Sequence, residues 1–73
     1  MLKNIRDQID ALDKEIVSNL EKRFNLVLKM KNLNLKKNIE DKKREKDILR
    51  KIENDEIKNI YKEIFKISKK IQS

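Results

Sequence analysis

Polar side chains interrupt an apolar helical face in the first half of the chain. Arg23 and Asn34 are about three helical turns apart, so they lie on nearly the same side of one helix. Arg6 lies about 100° around the helix from Arg23, so the two can share a pocket more easily across a dimer than within one helix. A guanidinium in an apolar face requires an anionic partner, which indicates either a local ion pair or an anion site.

Two further pairs of polar residues occur one helical turn apart in the second half of the chain. Asp41 and Glu45 form one pair, with Arg44 beside them, and Ser68 and Gln72 form the other. Taken alone, each pair is typical of a solvated helix face or a local ion pair. Taken with the arginines of the first half, they describe a pocket of cationic and amide groups. Such a pocket suits a small dianion and charge that shifts within it.

The composition excludes several kinds of chemistry. The 73 residues include no Cys and no His, so neither a disulfide nor a thiolate-imidazole metal site can form. No Ser stands in a nucleophile-base arrangement, and acyl transfer and thiol chemistry are therefore not expected. Asp41 and Glu45 without His would make a poor transition-metal site, and we expect no metal.

The net charge of +7 raises the question of a nucleic-acid or membrane partner. Heavy use of Lys, Asn and Ile can supply this charge as a compositional bias, and the three aromatic residues Phe24, Tyr61 and Phe65 offer little for base stacking. With 45% charged residues the chain contains no long apolar run, and its N-terminus lacks the apolar core of a signal peptide. We expect a cytoplasmic protein that binds neither nucleic acid nor membrane.

The spacing of apolar residues predicts three helices in one domain that spans residues 1–73. Gly and Pro, which most often punctuate strands and tight turns, are both absent, so the predicted class is all-α. Steps of three and four mark a first helix over about 2–38. Its apolar face comprises Leu2, Ile5, Ile9, Leu12, Ile16, Leu20, Phe24, Val27, Met30 and Leu33. A second helix over about 42–53 has Asp41 as its cap, and a third over about 55–72 has Asn54 as its cap, with acidic residues in its first turn.

The length of the first helix predicts a dimer. At the usual rise the predicted first helix is a rod of roughly 55 Å, and the second and third helices are only roughly 18 and 27 Å long. Folded back within one chain, they leave part of the apolar face exposed, and an apolar stripe in water is a surface for association. Two long helices that pair side by side would cover it. A plain coiled coil is the alternative, although a coiled coil does not require the polar residues within the apolar face.

Two motifs in this chain resemble the AroQ class of chorismate mutases, the all-α type II family. Residues 5–16 read IRxxIDxLDxxI and residues 41–49 read DxxRExxIL, and Arg23, Ser68 and Gln72 follow the family order along nearly the whole chain. The resemblance implies a three-helix protomer with a long first helix in an intertwined homodimeric helical bundle. It also implies the Claisen rearrangement of chorismate to prephenate, in phenylalanine and tyrosine biosynthesis. That pericyclic reaction needs no protein nucleophile, metal or cofactor.

The same resemblance assigns roles to residues of the first helix. Arg23 matches the arginine that grips a substrate carboxylate within its own protomer, and Arg6 matches the one donated across the dimer to the other site. Asn34 stands where the family has a lysine that donates to the ether oxygen of the breaking bond. Loss of one such donor typically costs about 10²–10³ in rate, although an amide can still donate.

The second and third helices supply the remaining matches. Arg44 matches an arginine that supports carboxylate binding, and Asp41 and Glu45 match acidic residues near the ring hydroxyl, with Glu45 as the direct acceptor. Ser68 matches a position near a carboxylate. Gln72 matches the donor to the ether oxygen.

Two alternatives to the enzyme remain open at this point. The first is a weakened or inactive relative on the same fold, used for binding or regulation, which Asn34 favours. The second is a helical interaction module whose basic surface meets acidic partners. The second predicts that Arg23 and Arg44 point into solvent, whereas the enzyme predicts a cluster of arginines with too few protein carboxylates to neutralise it.

Overall fold

A computed structural model of the chain describes residues 1–33 and 42–72 as three α-helices. These are α1 (Leu2–Asn32), α2 (Lys42–Arg50) and α3 (Asp55–Gln72). The all-α class and the long first helix are therefore confirmed. The predicted stretch of the first helix beyond Leu33 lies outside the described residues, as does Asp41, the expected cap of α2.

Local hydrogen bonds explain where α2 ends and α3 begins. The N–H groups of Lys51 and Ile52 donate to carbonyls three residues back, at 3.2 and 3.1 Å, so the last turn tightens and α2 ends at Arg50 rather than near residue 53. Asn54 then caps α3, because its Oδ1 accepts from the N–H of Ile57 at 3.1 Å. This cap was predicted from the sequence.

The apolar core of the protomer is very small. Among the described residues, Ile64 and Phe65 of α3 are the buried apolar side chains, and the ring of Phe65 packs edge-to-face on that of Tyr61 at 5.9 Å between centroids. α3 packs mainly on α1 and touches α2 only lightly. No residue of α1 is buried. A domain of this size cannot reach ordinary stability on such a core.

The apolar face of α1 is largely uncovered in the described part of the chain. Its N-terminal half exposes the following side chains: Leu2, Ile5, Ile9, Leu12 and Ile16. The molecule is elongated, 50 Å in its longest dimension, and α2 and α3 cover only part of that length. None of the described helices is long and apolar enough to cross a membrane.

Candidate active site

Arg23 lies at the interface of α1 and α3 and is held there by two contacts. Its Nη1 donates to Ser68 Oγ at 2.6 Å, and Ser68 Oγ itself donates to the carbonyl of Ile64 at 2.9 Å. The guanidinium carbon lies 5.7 Å from the centroid of the Phe65 ring, within the range of a cation-π contact. The Ser68 hydroxyl and the Phe65 ring therefore orient the Arg23 guanidinium through contacts within the chain itself.

The electrostatics around Arg23 favour an anion. Burial lowers the pKa of Arg23, and the nearby guanidinium of Arg44 lowers that pKa further, while Tyr61 acts in the opposite direction. Within residues 1–33 and 42–72, no carboxylate forms an ion pair with Arg23. Because Ser68 and Phe65 offer no negative charge, an anionic group between the two arginines would relieve both the desolvation and the repulsion.

This arrangement argues against the simple interaction module. Arg23 is partly buried and bonded to α3, so it does not point into solvent. Arg44, on α2, is exposed in the protomer, but it lies close enough to Arg23 for its charge to act on that guanidinium.

Gln72 supplies a buried hydrogen-bond donor near the end of α3. The side chain is 7% exposed, and its Nε2 donates to Met30 Sδ on α1 at 3.9 Å. A thioether sulfur is a weak acceptor, so the hydrogen bond that the Gln72 amide donates to Met30 is weak. An oxygen acceptor placed beside Gln72 would therefore form a better hydrogen bond than the sulfur does.

Glu45 lies on α2 and pairs with a residue that the sequence reasoning did not single out. Its Oε1 is 3.3 Å from Lys69 Nζ on α3, and both side chains are largely shielded from solvent. The sequence offers one signal, which is that Lys69 stands between Ser68 and Gln72 on the third helix. That signal is weak in a chain with 20 Lys and Arg residues.

The structure brings some of the expected residues together and leaves others apart. Arg23, Ser68 and Arg44 converge, and Gln72 and Glu45 occupy the adjoining faces of α3 and α2. Arg6 is exposed and lies about 25 Å along α1 from Arg23, so one protomer does not bring these two arginines together. Asn34 and Asp41 lie outside the described residues.

The comparison with known protein families finds a match over nearly the whole chain. A family model described as chorismate mutase type II matches residues 5–73. That range contains all of the candidate site residues. The comparisons with curated proteins and with solved structures found no match.

Proposed function

Because the chain belongs to the chorismate mutase type II family, we propose that it catalyses the Claisen rearrangement of chorismate to prephenate. The observation that supports this most is Arg23, a partly buried cation beside Arg44 that makes no ion pair with a carboxylate of the described residues. Chorismate carries two carboxylates, so it supplies the negative charge that Arg23 does not receive from the described residues. Loss of chorismate absorbance with purified protein tests the proposal, and an inactive protein would contradict it.

The arginines act by positioning the substrate. Arg23 and Arg44 bind carboxylate oxygens through charge-assisted, fork-shaped hydrogen bonds, which fix both the distance and the plane of each carboxylate. Ser68 lies near the same carboxylate and holds the Arg23 guanidinium in place. Restricting the flexible dianion to its reactive chair removes an entropic part of the barrier, and this is the main contribution of the protein.

Bond making and breaking then occur within the substrate itself. The carbon–oxygen bond of the ether breaks as a carbon–carbon bond forms, and no proton moves to or from the protein. Negative charge grows on the ether oxygen in the transition state, and Gln72 Nε2 donates to it. Glu45 accepts from the ring hydroxyl, with Asp41 nearby, and Asn34 offers an amide donor towards the ether oxygen in place of the family lysine.

The active form in this proposal is a homodimer. The exposed apolar face of α1 and the small apolar core among the described residues support it, because a second copy would cover the face that α2 and α3 leave open. An antiparallel pairing of two α1 helices that sets Arg6 opposite the partner's Arg23 also sets Ile9 opposite the partner's Leu20 and Leu2 opposite the partner's Val27. Leu2 and Ile9 are 61% and 50% exposed in the protomer. One register thus completes the apolar contact and brings Arg6 to the other protomer's site.

Replacing Gln72 with leucine is expected to separate activity from stability. The change removes the donor to the ether oxygen, and we expect kcat to fall by about 10², as for loss of one donor that acts in the transition state. Stability should not fall, since a buried amide with only a weak sulfur partner becomes an apolar side chain of similar size. Chorismate turnover and thermal unfolding of the same preparation measure the two effects.

The matched control for this variant is Asn59→Leu, which replaces an exposed amide on the same helix. We expect Asn59→Leu to retain the wild-type kcat. A Gln72→Leu variant with wild-type kcat would remove Gln72 from the mechanism.

A second candidate function is a weakened or inactive relative that binds chorismate without turning it over. Asn34 favours it, because an amide replaces the cation that the family directs at the ether oxygen. The two candidates differ in one measurement, because the inactive relative binds chorismate in a titration while the absorbance of the ligand stays constant.

A further inference from the structure

We propose that Lys69 is a positioning residue of the site, which acts by holding the Glu45 carboxylate towards α3 and away from the arginines that receive the substrate. The inference rests on the proposed function and deepens it. Lys69 Nζ lies 3.3 Å from Glu45 Oε1, and this ion pair joins α3 to α2.

A comparison within the same chain shows that this is not an ordinary surface ion pair. Lys66 and Glu63 also pair at 3.2 Å, but they lie one turn apart on α3 with 73% and 66% of their side chains exposed. Lys69 and Glu45 are 33% and 21% exposed and come from different helices. Exposed pairs within one helix contribute little, whereas charges shielded from water interact more strongly.

The position of Lys69 on α3 places it within the site. It directly follows Ser68, which accepts from Arg23, and it stands three residues before Gln72, so all three side chains project within about 100° of one another. Because α2 and α3 otherwise touch only lightly, the Lys69–Glu45 pair also fixes how α2 lies on α3. α2 carries Arg44 beside Glu45, so the same contact also influences where the Arg44 guanidinium lies.

The charge balance explains why Glu45 needs a partner of its own. A carboxylate in a site that receives a dianion repels the substrate, and without a partner it would turn to the nearest cations. Those cations include Arg23 and Arg44, the groups proposed to bind the substrate carboxylates. Lys69 neutralises Glu45 and leaves Arg23 available to the substrate, while the carboxylate can still accept from a hydroxyl.

The test replaces Lys69 with methionine, which keeps a long unbranched side chain and a high helix propensity but removes the charge. We expect KM for chorismate to rise about tenfold while kcat changes by less than about threefold, since the arginines bind carboxylates in both the ground state and the transition state. Lys69→Arg should restore KM to within about threefold of wild type, because it returns the charge. Lys66→Met is the control and should leave both constants unchanged.

A double variant tests whether Lys69 acts through Glu45. In a Glu45→Gln background, Lys69→Met should change KM by less than about twofold, because no carboxylate is left to be held. A tenfold effect that persists in that background would overturn the inference, as would a Lys69→Met variant that behaves like Lys66→Met. Wild-type protein without turnover would instead refute the proposed function and the inference with it, so the two failures are distinguishable.

Discussion

Replacing Arg23 with alanine is expected to lower kcat/KM for chorismate by about 10³ or more, the loss typical when one partner of a shielded charge pair is removed. Arg23 is the described side chain in which burial, a neighbouring like charge and fixed orientation coincide. In the proposed site, its removal takes away a preorganised group that binds a substrate carboxylate, and Arg44 would hold the dianion without it. Steady-state kinetics of purified protein measure the loss.

Two variants control for effects on folding. Arg50→Ala removes an exposed arginine of α2 that pairs with Asp47 on the surface, and it should retain wild-type kcat/KM. Arg23→Lys keeps the charge but not the fork geometry and should fall between wild type and Arg23→Ala. If Arg23→Ala retained helical content and wild-type kcat/KM, the anion-binding role of Arg23 would be wrong.

Replacing Leu12 with aspartate is expected to dissociate the protein and remove most of its helical signal at micromolar concentration. In the proposed dimer, each α1 would bury an unpaired carboxylate against the other helix, and a protomer with so small a core has little stability of its own. Light scattering after size exclusion gives the mass, and circular dichroism gives the helical content. If the wild-type protein is the proposed dimer, the midpoint of its thermal unfolding should rise with protein concentration.

Lys14→Asp is the matched control for the dimer. Lys14 lies about 200° around α1 from Leu12, on the polar side of the helix, so its replacement should leave the mass and the helical signal unchanged. A Leu12→Asp protein with wild-type mass and helicity would show that the apolar face of α1 is not the contact between protomers.

Local sequence patterns predicted the parts of the fold that depend on neighbouring residues. The spacing of apolar residues predicted α1. Asn54, followed by the acidic residues Asp55 and Glu56, predicted the start of α3, because the hydrogen bonds of a helix cap involve only the first turn of that helix. The end of α2 was placed too late. The spacing of apolar residues does not reveal the tightened turn at Lys51 and Ile52, because Ile52 is still partly buried, as a residue on the inner face of a longer α2 would be.

The sequence likewise predicted one part of the candidate site and not another. Arg23 stood out because a guanidinium within an apolar face is unusual, and its contact with Ser68 joins residues far apart in the chain. The pairing of Lys69 with Glu45 gave no comparable signal, since neither residue breaks an apolar pattern and the contact depends on how α2 meets α3. Pairings between helices are fixed by packing, which composition and period do not specify.

The most direct test of the shared site is chorismate turnover by a mixture of two inactive variants, Arg6→Ala and Arg23→Ala, unfolded and refolded together. If each site takes Arg23 from one protomer and Arg6 from the other, a mixed dimer has one intact site and one site that lacks both arginines. Random pairing then restores about a quarter of the wild-type activity, because about half of the dimers are mixed and each contains one working site of two. A mixture no more active than its parents, beside active wild-type protein refolded in the same way, would contradict the shared site.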